Sequence, residues 1–127
     1  MIVVDTSFVI KLLKQEIPVE ILGEERLMAP QLFDYEFSNV IWKMVKLSHF
    51  PASEAQNFFN AVEKLNIEKS PVDLLRLFHY ACATGLTAYD ASYLILAKNN
   101  HCALASFDKE LIKIAQKECV PVVAPHA

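Results

Sequence analysis

The chain opens with an apolar run, Ile2-Val3-Val4, that stops at Asp5. Three β-branched residues with no polar alternation fit a strand buried on both faces, as in the middle of a parallel sheet covered by helices on each side. Such a strand constrains the rest of the chain. Parallel neighbours require crossover connections, so helices and strands have to alternate along the remaining residues. A residue just past the strand's carboxyl end lies where open α/β sheets collect their ligands, and Asp5 holds that position.

The remaining sequence does alternate. Apolar and basic positions at helical spacing cover 8–16, with Phe8 and Leu12 inward and Lys11 and Lys14 outward. Residues 17–25, punctuated by Pro18 and Gly23, read as a connector, and 26–29 as a short second strand ending at Pro30. The longest helical pattern is 32–47, where Phe33, Phe37, Val40, Ile41 and Met44 form one stripe. Phe50-Pro51 breaks it, and a helix starting at Ala52 or Ser53 runs through Leu65 with Phe58, Val62 and Leu65 in phase. Residues 66–70 are a third strand candidate. Pro71 suits the first turn of a helix over 72–84, with Leu74, Leu77, Phe78 and Ala81 inward and Gly85 as its C-terminal cap. A helix capped by Thr87 runs to Asn99, a strand covers 103–106, Asp108 opens a helix through Glu118, and 119–123 forms a last strand before the tail Pro125-His126-Ala127. The expectation is a single domain, 1–127, of three-layer α/β/α architecture with a mainly parallel central sheet.

Composition removes several classes of function. The chain is 54% hydrophobic, yet no apolar run approaches the roughly 20 residues that span a bilayer. Met1 leads straight into the first strand, so a soluble, cytoplasmic protein with no membrane contact is expected. Cys82, Cys102 and Cys119 have no zinc-like spacing and are expected to be buried or inert thiols. Only Gly23 and Gly85 occur, which excludes a glycine-rich phosphate loop. A net charge of −3 counts against extended phosphate-backbone binding, while leaving room for a local basic rim or metal-mediated contacts.

Four acids stand out: Asp5, Glu36, Asp90 and Asp108. Each has a plain structural role open to it. Glu36 flanks the apolar stripe of its helix, about 40° from Val40 at about 100° per residue, as a salt-bridged edge residue would. Asp90 is third in its helix and answers the Thr87 cap, and Asp108 serves as an N-cap itself. Yet Asp90 shares its face with Leu94 and Ala97, the face that enters the core, and Ala91 and Ser92 leave space beside it. In a doubly wound sheet all four acids can converge on one edge. Two carboxylates about 4 Å apart repel by roughly 4 kcal/mol at an effective dielectric of about 20, so such a cluster needs protons or cations. All-oxygen ligation selects hard ions, magnesium or manganese.

These acids sit in four short blocks: Val4-Asp5-Thr6-Ser7, Tyr35-Glu36-Phe37-Ser38-Asn39-Val40, Tyr89-Asp90-Ala91-Ser92-Tyr93-Leu94 and Ser106-Phe107-Asp108-Lys109-Glu110-Leu111. In order and spacing the blocks resemble the PIN-domain family, and within it the VapC-type toxins of toxin-antitoxin pairs, over nearly the whole chain. The resemblance implies a Mg2+- or Mn2+-dependent endoribonuclease that hydrolyses RNA phosphodiester bonds, is often a homodimer, and is inhibited by a small antitoxin protein occupying its acidic cleft. By position it implies Asp5, Glu36, Asp90 and Asp108 as the catalytic and metal-holding acids. It also implies Thr6 or Ser7, and Ser106, as hydroxyls supporting the first Asp, the fourth acid or the substrate. Lys11 or Lys43 would stand at the rim of such a cleft. Two other readings remain, a non-catalytic PIN-like interaction module and a housekeeping RNA-processing nuclease. A phosphoacceptor switch fits less well, because Asp5 stands alone after the first strand and 66–70 offers no Asp.

Overall fold

In the computed structural model, which describes residues 1–123, β1 (Ile2–Val4) lies between β2 (Leu27–Pro30) and β4 (Ala103–Ala105), paired in parallel with both. Val3 and Val4 have no exposed surface, as an apolar run without alternation requires. The sheet continues to β3 (Glu68–Ser70) beyond β2 and to β5 (Val122–Val123) beyond β4, giving the order β3-β2-β1-β4-β5 with every pairing parallel. From β1 the chain adds strands on one side through β3, then returns to place β4 on the other. The gap between β1 and β4 is therefore the topological switch point, where the carboxyl ends of strands leave a crevice.

Helices cover both faces in an α/β/α arrangement. On one side α1 (Thr6–Leu13), α2 (Phe33–Leu47) and α3 (Ala52–Lys64) pack on one another, with Phe33, Phe37, Ile41 and Phe58 buried. On the other, α5 (Ala88–Asn99) lies against β1, β2 and β4, between α4 (Leu74–Thr84) and α6 (Lys109–Lys117). Every residue of α5 from Ala91 to Ala97 is buried, so the middle of α5 is embedded on all sides, unlike an amphipathic surface helix. Thr87 caps it, accepting from the Asp90 N–H at 3.2 Å, and α6 presents Leu111, Ile114 and Ala115 inward as its spacing predicts. Among the described residues, no helix is long and apolar enough to cross a membrane.

Several expectations change. The first helix starts at Thr6 rather than Phe8, because Asp5 is its N-cap and accepts from the Phe8 N–H at 2.9 Å. Pro30 belongs to β2, where it pairs with Ser70. The helix expected from 72 starts at Leu74, because Asp73 caps it through the Arg76 N–H at 3.0 Å, while Gly85 closes it at φ +79° as expected. Leu74 and Phe78 are not inward: they are 80% and 59% exposed. α4 packs chiefly on α5, so only a stripe containing Leu77, Tyr80 and Ala81 is covered. Cys82 and Cys119 are exposed and Cys102 is half-buried, so of the expected buried or inert thiols none is buried. Cys82 falls on the uncovered side of α4, and Cys119 in the turn after α6 at φ +59°. The tail Pro125-His126-Ala127 lies outside the described residues.

Candidate active site

The carboxyl end of β1 delivers Asp5 into the crevice and buries it to 6% exposure. A buried carboxylate has to be satisfied, and hydroxyls and amides from two elements do so. Oδ1 accepts from the Phe8 N–H at 2.9 Å and from the Ser7 hydroxyl at 2.7 Å, while Oδ2 accepts from the Ser106 hydroxyl. Ser106, with no exposed surface, also accepts from the Asp108 N–H at 3.0 Å. Ser7 accepts from the Phe107 N–H at 3.0 Å. The turn after β4 is thus tied to the turn after β1 through two serines and one carboxylate. Burial still outweighs these bonds and raises the Asp5 carboxyl above its ordinary range, with the negative charge of Asp108 adding to the effect.

Asp108 caps α6, accepting from the Leu111 N–H at 3.0 Å. Asp90 sits in the first turn of α5. Its carboxyl is pushed up to about 6, first by burial and then by the charges of Asp108, Glu36 and Asp5, with Thr87 as the opposing influence. All three other acids therefore act on Asp90 across space, although they come from separate elements. Glu36, half-buried in the first turn of α2, completes the group. Its Oε1 accepts from the Tyr93 hydroxyl at 2.6 Å and lies 3.5 Å from the Thr6 hydroxyl. Burial, and then the bond to Glu36, hold the Tyr93 phenol well above its ordinary range.

The hydroxyls thus divide. Ser7 and Ser106 hold Asp5, whereas Thr6 lies beside Glu36 and Tyr93, 3.4 Å from the phenol oxygen. Lys11 reaches Glu16 at 3.5 Å and lies over the Phe107 ring at 5.1 Å, next to the turn carrying Asp108. Lys43 is exposed on α2. Asp34 pairs with Lys69 at 3.3 Å. Tyr93 is the residue that sequence reasoning misses. Its signal is a hydroxyl-bearing aromatic three residues after Asp90 in an otherwise apolar helix, which packing alone does not require.

Among the described residues, no three His, Cys, Asp or Glu side chains stand, as oriented here, close enough to hold one metal ion. The physical reason is visible in the bonds: both Asp5 oxygens are taken by the protein, Asp108 is turned to its helix and Glu36 to Tyr93. The donor set nevertheless fits a hard cation. It is all carboxylate, and among the described residues none of the four acids forms an ion pair with a basic side chain. A cation would relieve the repulsion that raises Asp90, after a rotation of the half-buried acids toward it.

Comparison with known proteins finds relatives by sequence and by structure. The sequence model of the PIN domain matches residues 2–117. "Ribonuclease VapC9" of Mycobacterium tuberculosis is 30% identical over 127 residues, 99% of this chain and 100% of that one. "Exonuclease VapC9" of Pyrobaculum aerophilum is 30% identical over 90 residues, covering 69% of this chain and 66% of that one. Among solved structures, the crystal structure of PAE2754 from Pyrobaculum aerophilum superposes with a TM-score of 0.78 at 27% identity, covering 96% of this chain and 90% of that one.

The raised Asp90 carboxyl has a consequence for stability. Between the unfolded value of 3.8 and the folded value of about 6, the folded protein binds more protons than the unfolded one, so this group's contribution to stability falls as pH rises through that window. Asp90→Asn removes the penalty. In urea unfolding with chelator present, the variant is expected to be more stable than the parent at pH 7 by roughly 1–2 kcal/mol, discounted for partial exposure. The advantage is expected to shrink by pH 4.5; an equal effect at both pH values would remove the electrostatic account.

Proposed function

This chain belongs to the PIN-domain family, and from that premise we propose that it is a Mg2+- or Mn2+-dependent endoribonuclease, the toxin of a type II toxin-antitoxin pair. The observation that carries the reading is that Asp108, Glu36 and Asp5, from three separate elements, all raise the Asp90 carboxyl, in a parallel sheet whose switch point lies beside Asp5. The ribonuclease names of the full-length mycobacterial relatives support the choice of RNA as substrate.

Asp5 and Asp90, with Asp108, would hold the ion, and Glu36 would hold a second or orient the attacking water. A divalent ion so bound supplies Lewis acidity to the scissile phosphate and lowers the pKa of a bound water. The protein's own contribution is positional. Asp5 is fixed by Ser7, Ser106 and the Phe8 N–H, which set the position and orientation of the first acid. The raised value of Asp90 rests partly on three uncompensated charges, so a cation held there would favour its ionised form. The protein works in the cytoplasm on this reading, and a small antitoxin protein fills the cleft.

The relatives divide on the mode of cleavage, since the Pyrobaculum protein is named an exonuclease. A pool of circularised single-stranded RNA separates the two. With Mn2+ present the protein is expected to open the circles. Asp5→Asn is expected to slow this by roughly 100-fold or more, at or beyond the 10- to 100-fold typical of changes outside the metal's own ligands. Linear RNA degraded while circles stay intact would assign an exonuclease instead.

Homodimerisation is part of the same proposal, and the uncovered face of α4 supports it. Leu74, Leu75 and Phe78 are 80%, 66% and 59% exposed on one helix, a concentration of apolar surface that a monomer rarely leaves in water. Light scattering on the purified protein is expected to give two copies, and Phe78→Glu a folded monomer with a cooperative melt that no longer depends on concentration. A monomeric parent at micromolar concentration would rule the dimer out.

A further inference from the structure

Tyr93 is 2% exposed, and its ring is part of the packed core around α5. Packing would be served equally by phenylalanine. The hydroxyl is a separate matter, because a buried phenol has to find a partner. Its partner is a catalytic-cleft acid 57 positions away in sequence: the phenol donates to Glu36 Oε1 at 2.6 Å, the short distance of a charge-assisted bond. Thr6, on a third element, approaches both atoms, at 3.5 Å from Oε1 and 3.4 Å from the phenol oxygen. Among the described residues, the side-chain hydrogen bonds to Glu36 come from these two hydroxyls and fall on one carboxylate oxygen.

α5 thereby controls two acids. Asp90 is borne directly on its first turn, and Tyr93, three residues later, reaches Glu36 on α2. With Ala91 to Ala97 all buried, that stretch of α5 has little freedom to shift, so the spacing between Asp90 and Glu36 is set by one embedded element. A glutamate has three rotatable side-chain bonds; the bond to Oε1 restricts them, and among the described residues no side-chain hydrogen bond engages Oε2.

We propose that Tyr93 is a positioning residue: its hydroxyl holds Glu36 in the geometry that the cleft's chemistry uses. The inference rests on the ribonuclease reading and adds to it a residue outside the acidic quartet. Its action runs through Glu36, which separates it from a tyrosine that merely satisfies its own hydroxyl.

The test is a double-mutant cycle on the full chain with Tyr93→Phe, Glu36→Gln and the pair. Two quantities are read, the affinity for Mn2+ alone by calorimetry and the kcat and KM of RNA cleavage at saturating Mn2+. Tyr93→Phe is expected to keep the melt within a few degrees, because the ring remains. It is expected to lower kcat by about tenfold, the loss of one such bond in the transition state, with KM within about twofold of the parent. Mn2+ affinity is expected to fall about threefold or more, within the 10- to 100-fold range or somewhat below it for groups that orient ligands. In the Glu36→Gln background the Phe substitution is expected to change either quantity by less than about twofold, since the group it acts through is already altered. The Mn2+ arm keeps the cycle measurable if Glu36→Gln leaves too little cleavage to follow.

A parent that binds Mn2+ and cleaves RNA, with Tyr93→Phe equal to it, overturns this inference alone. So does an equal loss in both backgrounds, or a Phe variant that fails to fold. A parent that neither binds Mn2+ nor cleaves overturns the ribonuclease reading and this inference with it.

Discussion

Burying the carboxylate of Asp5 at the end of the central strand is the constraint on which the rest of the site depends. A charge at that depth is unfavourable unless it is bonded, and the bonds available fix the local structure. The Phe8 N–H makes Asp5 the cap of α1, Ser7 turns back onto it, and Ser106 reaches it from the far side of the switch point. Ser106 and Ser7 then take the amides of Asp108 and Phe107, so the turn after β4 is built on the same carboxylate. One acid therefore joins the two strands between which the crevice opens, and it places Asp108 at the start of α6. Removing it would disturb two helix starts as well as the chemistry.

The other acids are held less tightly, and electrostatics explains the difference. Asp90 feels Asp108, Glu36 and Asp5 together, and its raised value expresses a folded state that resists full ionisation. Residues arranged for stability alone would place a basic side chain among them; the ion pairs in the described structure lie elsewhere, at Lys69 with Asp34 and Lys98 with Glu118. Such concentration of unfavourable charge in a cleft is a common mark of a site that completes itself with a cation. The side chains as they stand do not close around one. Were a cation to complete this group, its binding would be linked to loss of the Asp90 proton.

Much of this is legible in the residues, and the reasons are specific. Ile2-Val3-Val4 reads as a central strand because nothing polar interrupts it, and Thr87 and Asp108 read as caps because a hydroxyl or carboxylate before an apolar period has a local use. α4 misleads in two ways. Pro71 draws the expected start forward, although Asp73 makes the bond that opens the helix. Leu74 and Phe78 look inward because spacing tells which residues share a face, not whether another element lies over it. Cys82 looks interior because free cysteine is usually buried, a tendency of the residue type that says nothing of what covers it. Tyr93 is hidden because an aromatic in an apolar helix reads as core, and its bond to Glu36 spans two helices that no local pattern connects. The quartet itself emerges from the order of four short blocks. That both oxygens of Asp5 are already engaged is visible only in three dimensions.

The central claim is that the four carboxylates form one electrostatically coupled site for a hard divalent cation. Calorimetric titration of the protein with Mn2+ at pH 6, repeated in buffers of different ionisation heat, counts the protons released on binding. With Asp90 titrating at about 6, the account predicts saturable binding with release of about half a proton from that carboxyl, absent in Asp90→Asn. Absence of Mn2+ binding, or binding with the same proton release in Asp90→Asn, would contradict it.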